Sequence, residues 1–501
     1  MPDIVLINTL QNNFQQGIFA LGNSRKNQPL GLALTAAVLE ARGLKVKIID
    51  ANLLRLSHQK VAREVARDNP KMVVINTASL DRWECPLPTI KEPQQLAAAI
   101  KQVSPLTLLV AIGPHGTITP EWVLQKCPKI DVLVRGEPAI TTQEISKNLP
   151  LTNKKKRVIL GISFIENNKI INNSPRPYLE NLDLLPFPAY HLLPMKKYGP
   201  MSDHFDGDKF IGEVSPFSIM ITSRGCPGLC VFCFKKMYQD KKTFRSICPK
   251  KVVDEIELLL KNFGIKAIYI QDLNFCVDKK RVIDICREII RHKLKFSWGC
   301  EARFDNVNPH LLEEMGKAGC CFINFGLESG SEKIIFSSQK NIKISVIEKA
   351  IADCRKAKIA VGCFKLLGLP EETKETFIET LKFMIKNKID IPYPFPLNIP
   401  LPYPGTKLHQ DAEKQFNQKI SWEKAPTFAG KVGTDFFEKV TPGEIQRLAY
   451  QYKLNQEGKI KDKHYFKILF LEKMEKLKSF PNRLFTSKNK RSLSKRKIAA
   501  P

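Results

Sequence analysis

The chain has 501 residues, 43% of them hydrophobic and 26% charged, which is enough apolar material for two or three buried cores and excludes a chain disordered throughout. Lysine and arginine total 79 against 50 acidic residues, so the formal net charge is +29. This favours contact with polyanions, but we prefer a lysine-rich solvated surface, because no single basic groove is visible. Apolar runs of about 18 residues and a signal-peptide pattern are absent, so we expect a cytoplasmic protein whose 13 cysteines are thiols or metal ligands.

Residues 1–150 alternate short apolar runs with helical patterns, which predicts a doubly wound parallel sheet. The predicted strands are 4–8, 46–50, 72–76, 106–112 and 132–135, and the predicted helices are 29–42, 60–68, 93–103, 121–127 and 141–149. Ligands of such sheets bind beyond the carboxyl ends of the strands. No glycine-rich dinucleotide or phosphate loop follows the first strand, and His115, taken alone, is more typical of an ordinary loop residue.

Residues 151–215 lack periodic pattern and predict a linker, after which a new alternation begins. A predicted strand at 218–222 leads into Cys226, Cys230 and Cys233, with the spacing C-x3-C-x2-C. Thiolates are the ligands of iron–sulfur clusters, and close spacing lets three sulfurs converge. No fourth cysteine stands in register, so one iron would keep an open position for chemistry. A zinc knuckle or buried thiols are the alternative, although no histidine completes a tetrahedral set.

This loop, with Phe232 before its last cysteine, resembles the signature of the radical S-adenosylmethionine (radical SAM) superfamily. The resemblance implies a [4Fe–4S] cluster on the three cysteines and S-adenosylmethionine on the open iron, where one electron yields a 5′-deoxyadenosyl radical. It also implies a partial (β/α)6 barrel over residues 216–407. The six predicted strands are 218–222, 267–271, 296–300, 322–325, 359–367 and 397–399.

Polar residues end these strands one after another, where barrel enzymes carry their reactive groups. Segments 271–275, 326–331 and 368–373 resemble the superfamily's motifs for the amino group, the ribose and the adenine of S-adenosylmethionine. Taken singly, Glu301 and Glu328 could equally be ion-paired carboxylates. The resemblance implies a site for S-adenosylmethionine formed by Phe232, Asp272, Asn274, Glu301, Arg303, Glu328, Ser329 and Gly368.

A doubly wound domain in front of this barrel resembles the cobalamin-binding branch of the superfamily, the class B methyltransferases. The resemblance implies a corrin between the two domains, with segment 77–84 and its Trp83 near the lower face. The axial motif D-x-H-x-x-G is absent, as is common in this branch. Ile112 stands where relatives have a glycine, and its side chain could crowd the corrin tail. The cobalamin contacts implied are Thr77, Ser79, Gly113, His115, Gly136 and Glu137.

Residues 408–501 predict a helical C-terminal region with a basic tail. Helical spacing covers 441–455 and 463–478, and the second helix either packs on the barrel or lies on a membrane surface. Six of the ten residues at 488–497 are basic. The complete architecture is thus a Rossmann-like cobalamin-binding-type domain, a linker, a radical SAM barrel and this helical region.

The combination predicts an enzyme that cleaves S-adenosylmethionine reductively and methylates an unactivated carbon with the help of cobalamin. Expected partners are a small-molecule or lipid substrate and an electron donor such as flavodoxin or ferredoxin, with peripheral membrane contact open and nucleic acid not expected. Cyclisation or rearrangement, a front domain without cobalamin, and a non-catalytic binder with a structural cluster stay open. A tRNA methylthiotransferase would need three more cysteines in the front domain, where only Cys85 and Cys127 lie.

Overall fold

The computed structural model describes residues 1–12, 14–16, 19–21, 27–78, 86–199, 214–234 and 244–457. The predictions made for Ser79, Trp83, Cys85, helix 463–478 and the basic tail 488–497 lie outside the described residues. Among the helices that are described, none combines the length and the apolar character needed to cross a bilayer.

The front domain contains a twisted sheet with helices on both faces. Its first strands are β1 (Ile4–Asn8), β2 (Phe14–Gln16), β3 (Phe19–Leu21), β4 (Val46–Asp50), β5 (Met72–Asn76), β6 (Leu108–Ile112) and β7 (Val132–Val134), of which β2 and β3 form a separate antiparallel pair. The helices are α1 (Leu30–Glu40), α2 (His58–Asp68), α3 (Lys91–Val103), α4 (Pro114–Ile118), α5 (Pro120–Lys126), α6 (Pro138–Lys147) and α7 (Asn153–Lys156). The parallel strands are ordered β4-β1-β5-β6-β7, as in doubly wound sheets. After β1 the chain first adds β4 on one side and then adds β5, β6 and β7 on the other, so the order of the strands reverses between β1 and β5.

Two further strands, β8 (Ile162–Glu166) and β9 (Lys169–Asn172), extend this sheet into the segment that the sequence predicted as linker. β8 pairs antiparallel with β7, and β9 with β8. Asn167 and Asn168 between them both have positive φ, as the two-residue turns of tight hairpins require. The front domain therefore continues beyond residue 150, and the connection to the barrel begins after Asn172.

The second domain is built on a parallel sheet in the order β10-β13-β14-β15-β16. The strands are β10 (Phe217–Met220), β11 (Ser223–Arg224), β12 (Arg245–Ser246), β13 (Ala267–Ile270), β14 (Ser297–Ala302), β15 (Cys320–Glu328) and β16 (Ala360–Lys365). The helices are α8 (Pro249–Phe263), α9 (Lys279–Arg291), α10 (Pro309–Lys317), α11 (Glu332–Ser337), α12 (Ile344–Lys356) and α13 (Lys374–Lys386).

The predicted sixth strand at 397–399 does not join this sheet in the described part of the chain. Its one backbone link to the end of the fifth strand is a hydrogen bond from Leu367 N to Asn398 O, 2.9 Å long. Prolines at 392, 394, 396, 400 and 402 remove alternate N–H donors around it, so a ladder cannot form.

The C-terminal region contains α14 (Lys407–Phe416), α15 (Phe436–Lys439) and α16 (Pro442–Gln456), the last of which agrees with the predicted helix 441–455. Lys374 Nζ on α13 contacts Glu444 Oε1 on α16 at 2.6 Å. One hydrophobic core is continuous from the α1 side of the front sheet into the barrel, and a second fills the opposite face of the front sheet. The two domains are therefore joined by buried apolar side chains, not by a free linker.

Candidate active site at the junction of the domains

The cysteine loop leaves the barrel between β11 and β12, which pair antiparallel and close its base. Cys226 is buried, while Cys230 and Cys233 are partly exposed. Gly228 N lies 3.4 Å from Cys226 Sγ, and a Cβ on Gly228 would lie 3.4 Å from both that sulfur and Arg303 Nη1. The loop thus keeps its backbone close to the sulfur of Cys226, as a cluster cradle requires.

Two cations lie beside these thiols. Arg303 Nη1 is 3.8 Å from Cys230 Sγ, and its guanidinium is fixed by Asp305 at 2.9–3.0 Å. Lys340 Nζ forms a buried ion pair of 2.8 Å with Glu328 Oε1. Burial raises the pKa of the Cys230 thiol, and the charges of Lys340 and Arg303 act in the opposite direction. The cations therefore favour the thiolate form that binds metal.

The Asp272 carboxylate is buried at the end of β13 and has four donors. Its Oδ1 accepts the N–H groups of Thr222 and Ser223 at 2.6 and 3.0 Å, and its Oδ2 accepts their hydroxyls at 2.7 and 2.6 Å. These two residues connect β10 to the base of the cysteine loop. Asp272 therefore fixes the backbone from which the loop begins.

The other predicted contacts of S-adenosylmethionine follow successive strands. Asn274 is buried, accepts Arg303 N at 3.3 Å and donates to Asn306 Oδ1 at 2.7 Å. Glu301 is buried on β14. Ser329 Oγ lies 2.9 Å from Thr380 Oγ1 on α13. Phe232 is partly buried and packs against an apolar cluster of the C-terminal region.

The turn after β16 is held by the buried carboxyl group of Glu372, which was not predicted from the sequence as a site residue. Glu372 Oε2 accepts the N–H groups of Gly368 and Leu369, at 2.5 and 3.2 Å. Gly368 has φ +79°, and a Cβ there would lie 2.7 Å from Gly430 Cα, so only glycine fits. Burial raises the pKa of Glu372 to about 8, against the two N–H groups, which lower it.

On the front domain, the loop after β6 is held against the end of β5. Gly113 has φ +128°, and a Cβ there would lie 2.6 Å from Thr77 Oγ1. His115, fully buried on α4, donates from Nε2 to Leu87 O at 2.8 Å, so its Nδ1 accepts the Thr77 hydroxyl at 3.2 Å. Burial lowers the pKa of His115 to about 4, so the ring is neutral. Both ring nitrogens are used within the domain.

A polar network that the sequence did not predict crosses the carboxyl ends of three strands. Asn8 Nδ2 donates to Asp50 Oδ1 at 2.8 Å, Asn76 Nδ2 donates to Asn8 Oδ1 at 2.9 Å, and Tyr198 Oη donates to Asp50 Oδ2 at 2.8 Å. Beside it, a cavity of about 510 Å³ opens at the ends of β1 and β5, where doubly wound sheets bind ligands. Its lining includes Thr9, Gln11, Thr77, Leu87, Lys91, Glu92 and Glu423.

Glu137 and Trp422 make contacts across the junction with residues far away in sequence. Glu137, at the start of α6, binds Arg224 and Arg245 at the base of the cysteine loop, each at 2.6 Å. Trp422 is fully buried, and its ring lies 4.5 Å from that of His115. Trp422 Nε1 also donates to Thr119 Oγ1 at 2.7 Å, so the C-terminal region contacts the front domain directly.

The site fits the cofactors that its residues imply. Three thiols on one loop, a backbone close to the sulfur of Cys226 and adjacent cations are the donor set of an iron–sulfur cluster. In the described residues, no three His, Cys, Asp or Glu side chains are brought together as ligands of a single metal ion. The cavity at the carboxyl ends of β1 and β5 lies where doubly wound sheets bind ligands, which suits a large ligand of the front domain.

Comparison with known proteins identifies the class. Residues 220–384 match the family model of the radical SAM superfamily, and residues 25–146 match that of the B12 binding domain. The chain is 32% identical to an uncharacterized methyltransferase of Pyrococcus horikoshii over 437 residues, which cover 87% of this chain and 89% of that protein. The chain therefore belongs to the radical SAM superfamily.

Within the superfamily it is an enzyme of the cobalamin-dependent, methyltransferase-like group, with a [4Fe–4S] cluster, S-adenosylmethionine and cobalamin as cofactors. It is 27% identical to the anaerobic magnesium-protoporphyrin IX monomethyl ester cyclase of Cereibacter sphaeroides, over 76% of this chain and 60% of that protein. The structure of the cobalamin-dependent radical enzyme OxsB with aqua-cobalamin and S-adenosylmethionine bound shares the fold, with a TM-score of 0.66 and 16% identity over 96% of this chain and 71% of that one. The predicted family, fold class and cofactors are confirmed.

Proposed function

We propose that this enzyme transfers a methyl group to an unactivated carbon of a small molecule or lipid. When bound, its cofactors supply reductive cleavage of S-adenosylmethionine and a methyl group carried on cobalt. The observation that carries the proposal is the 2.6 Å contact between Glu137, beside the carboxyl edge of the front sheet, and Arg224, two residues before the first cysteine. A methyl-carrying domain and a radical-generating domain joined at this point are suited to act on one substrate.

We assign the cluster to Cys226, Cys230 and Cys233. The cation of Arg303, 3.8 Å from Cys230 Sγ, offsets the negative charge of the thiolates. Lys340 acts in the same direction and also orients Glu328. Positive charge and hydrogen bonds near the sulfurs raise the reduction potential of such a cluster.

We assign S-adenosylmethionine to the ends of the barrel strands. Buried carboxylate and amide groups suit its amino and hydroxyl groups, and the Gly368 turn suits its adenine. Asp272, whose donors are Thr222 and Ser223, would support this site by fixing the start of the cysteine loop. The residues of the assignment are Phe232, Asp272, Asn274, Glu301, Arg303, Glu328, Ser329 and Gly368.

We assign cobalamin to the carboxyl edge of the front sheet. Gly113 and Gly136 would provide close backbone approach. His115 would shape the wall of the site and would not ligate cobalt, because Thr77 and Leu87 occupy its ring nitrogens. The residues of the assignment are Thr77, Ser79, Gly113, His115 and Gly136. Glu137 would act on this edge indirectly, because its carboxylate is bound to Arg224 and Arg245.

Cofactor loading and substitution of the second cysteine test these assignments. The full-length protein, reconstituted anaerobically, incubated with hydroxocobalamin and desalted, should show the visible bands of both the cluster and cobalamin. Cys230→Ala should abolish 5′-deoxyadenosine formation, whereas Cys248→Ala, at the start of α8, should leave it within twofold of the parent. Deoxyadenosine formation by Cys230→Ala, or loss of cobalamin during desalting, would contradict the proposal.

Ring closure is the second candidate function, favoured by the 27% identity to the cyclase. The products separate the two reactions. Methyl transfer consumes a second S-adenosylmethionine and releases S-adenosylhomocysteine together with deoxyadenosine, whereas ring closure releases deoxyadenosine alone. Incubation with a small-molecule extract of the host and quantification of both products distinguishes them.

A cytoplasmic enzyme served by flavodoxin or ferredoxin completes the proposal. The net charge of +29 supports docking of an acidic electron donor, because opposite charges accelerate association. Photochemical or dithionite reduction in place of the donor should support the same deoxyadenosine yield at a different rate. The same charge supports peripheral contact with anionic lipid, which sedimentation with anionic vesicles measures.

A further inference from the structure

One carboxylate of the front domain bridges two arginines of the barrel. Glu137 Oε2 is 2.6 Å from Arg224 Nη1, and Glu137 Oε1 is 2.6 Å from Arg245 Nη2. The three side chains are only 14%, 16% and 5% exposed, so solvent screens the contacts little. Arg245 is fixed further by Leu179 O at 2.8 Å and by the face of the Tyr178 ring at 4.9 Å.

The two arginines are the two ends of the cysteine loop. Arg224 and Arg245 face each other in the β11–β12 register, and Arg224 stands two residues before Cys226. Like charges directly opposite on neighbouring strands destabilise the pairing. The Glu137 carboxylate lies between the two guanidinium groups, offsets this repulsion and thereby holds the base of the loop closed.

The same carboxylate is connected to the proposed cobalamin edge. The preceding residue, Gly136, donates its N–H to Thr117 Oγ1 at 3.0 Å, and Thr117 Oγ1 donates to Gly113 O at 2.9 Å. The loop after β6 is therefore connected to the base of the cysteine loop by these hydrogen bonds, the peptide bond between Gly136 and Glu137, and the ion pairs of Glu137.

We propose that Glu137 is a positioning residue that couples the two cofactor sites, so that occupancy of the cobalamin site changes the affinity for S-adenosylmethionine. The inference rests on the proposed location of cobalamin. Coupling of this kind is reciprocal, so S-adenosylmethionine changes the affinity for cobalamin by the same factor.

The test measures the dissociation constant of S-adenosylmethionine on the reconstituted full-length protein, once with and once without hydroxocobalamin. Binding is followed by the change that S-adenosylmethionine causes in the electron paramagnetic resonance spectrum of the reduced cluster. In the parent, cobalamin should change this constant at least threefold. Glu137→Gln keeps the side-chain volume and removes the charge. In this variant the dissociation constants with and without cobalamin should be equal, so that the coupling factor, their ratio, is one. Glu137→Asp should restore part of the coupling.

The matched control is Glu313→Gln, which removes an exposed ion pair with Lys317 on the surface of α10. It should keep the parent factor. If Glu137→Gln fails to fold, Arg224→Lys, which keeps the charge and loses the guanidinium geometry, should show the same loss of coupling. The inference would be overturned if Glu137→Gln kept the coupling factor of the parent. It would also be overturned if cobalamin, although bound, did not change the dissociation constant of S-adenosylmethionine in the parent. A parent whose visible spectrum shows no retained cobalamin would overturn the proposed function as well.

Discussion

Replacement of Asp272 by alanine should reduce cluster content as well as binding of S-adenosylmethionine. The carboxylate accepts the backbone N–H groups of Thr222 and Ser223 at 2.6 and 3.0 Å, and Cys226 follows three residues later. Alanine would leave these buried donors without an acceptor. The strand end that carries the cysteine loop would therefore lose its fixed position.

The magnitude follows from the number of donors. Each buried N–H without an acceptor costs about 1–3 kcal/mol, so two cost roughly 2–6 kcal/mol, while the two hydroxyls can rotate to other partners. Asp272→Asn keeps one carbonyl oxygen for the N–H groups and should cost about 1 kcal/mol. Since whole domains are stable by about 5–15 kcal/mol, the alanine variant should still fold, with a loosened loop.

The assay is iron and sulfide per chain after reconstitution, followed by binding of S-adenosylmethionine to the loaded fraction. Asp272→Ala should lose at least half of its iron, and Asp272→Asn should stay near the parent. Asp284→Ala removes a surface ion pair with Lys280 on α9 and should change neither quantity. Full iron content in Asp272→Ala together with abolished binding would refute this reasoning, because it would identify Asp272 as a direct ligand.

Four further substitutions test the packing around the site. Gly113→Ala should destabilise the front domain by roughly 2–5 kcal/mol, because φ is +128° and the Cβ would lie 2.6 Å from Thr77 Oγ1. Gly136→Ala, where φ is +75° and no atom lies within 4 Å of the added Cβ, should cost only about 1 kcal/mol. Urea unfolding measures both costs, and equal values would contradict the steric argument. The pKa of Glu372 is raised from an ordinary 4.5 to about 8. Between pH 4.5 and pH 8 the folded protein therefore holds a proton on Glu372 that the unfolded chain has lost. The free energy of unfolding should fall by up to about 1.4 kcal/mol per pH unit as the pH rises through this range. Glu372→Gln should abolish that slope in thermal unfolding, and a persistent slope would assign it to another group. Trp422→Phe should cost about 1–3 kcal/mol by leaving its acceptor unpaired, measured by urea unfolding, and a neutral effect would show that the indole N–H contributes nothing.

The parts of the fold that the sequence predicts are those in which local pattern and burial agree. Strands 4–8 and 72–76 are continuous apolar runs because helices cover both faces of the sheet. The hairpin of β8 and β9 was missed because its strands are short and its exposed strand is polar, although Asn167-Asn168 was a signal for a tight turn.

The residues of the candidate site also fall into two groups: those that a local sequence pattern predicts and those that only the tertiary fold brings together. The cysteine spacing is local, so the cluster ligands can be read from the sequence. Glu137 and Arg245 stand 108 residues apart, and no short-range pattern relates them. Lys340 and Trp422 were missed for the same reason, since their partners are defined only by the tertiary fold.

Ile112 stands at the proposed cobalamin edge, and the structure explains why a large side chain is tolerated there. Ile112 is fully buried and belongs to the hydrophobic core shared by the front sheet and the barrel. Its backbone carbonyl accepts Thr77 N at 2.8 Å, which leaves the following residue, Gly113, to form the close approach to Thr77. The isoleucine therefore adds apolar contact inside the core, and the one glycine that the turn requires is present. Ile112→Gly should accordingly destabilise the protein and leave cobalamin affinity unchanged.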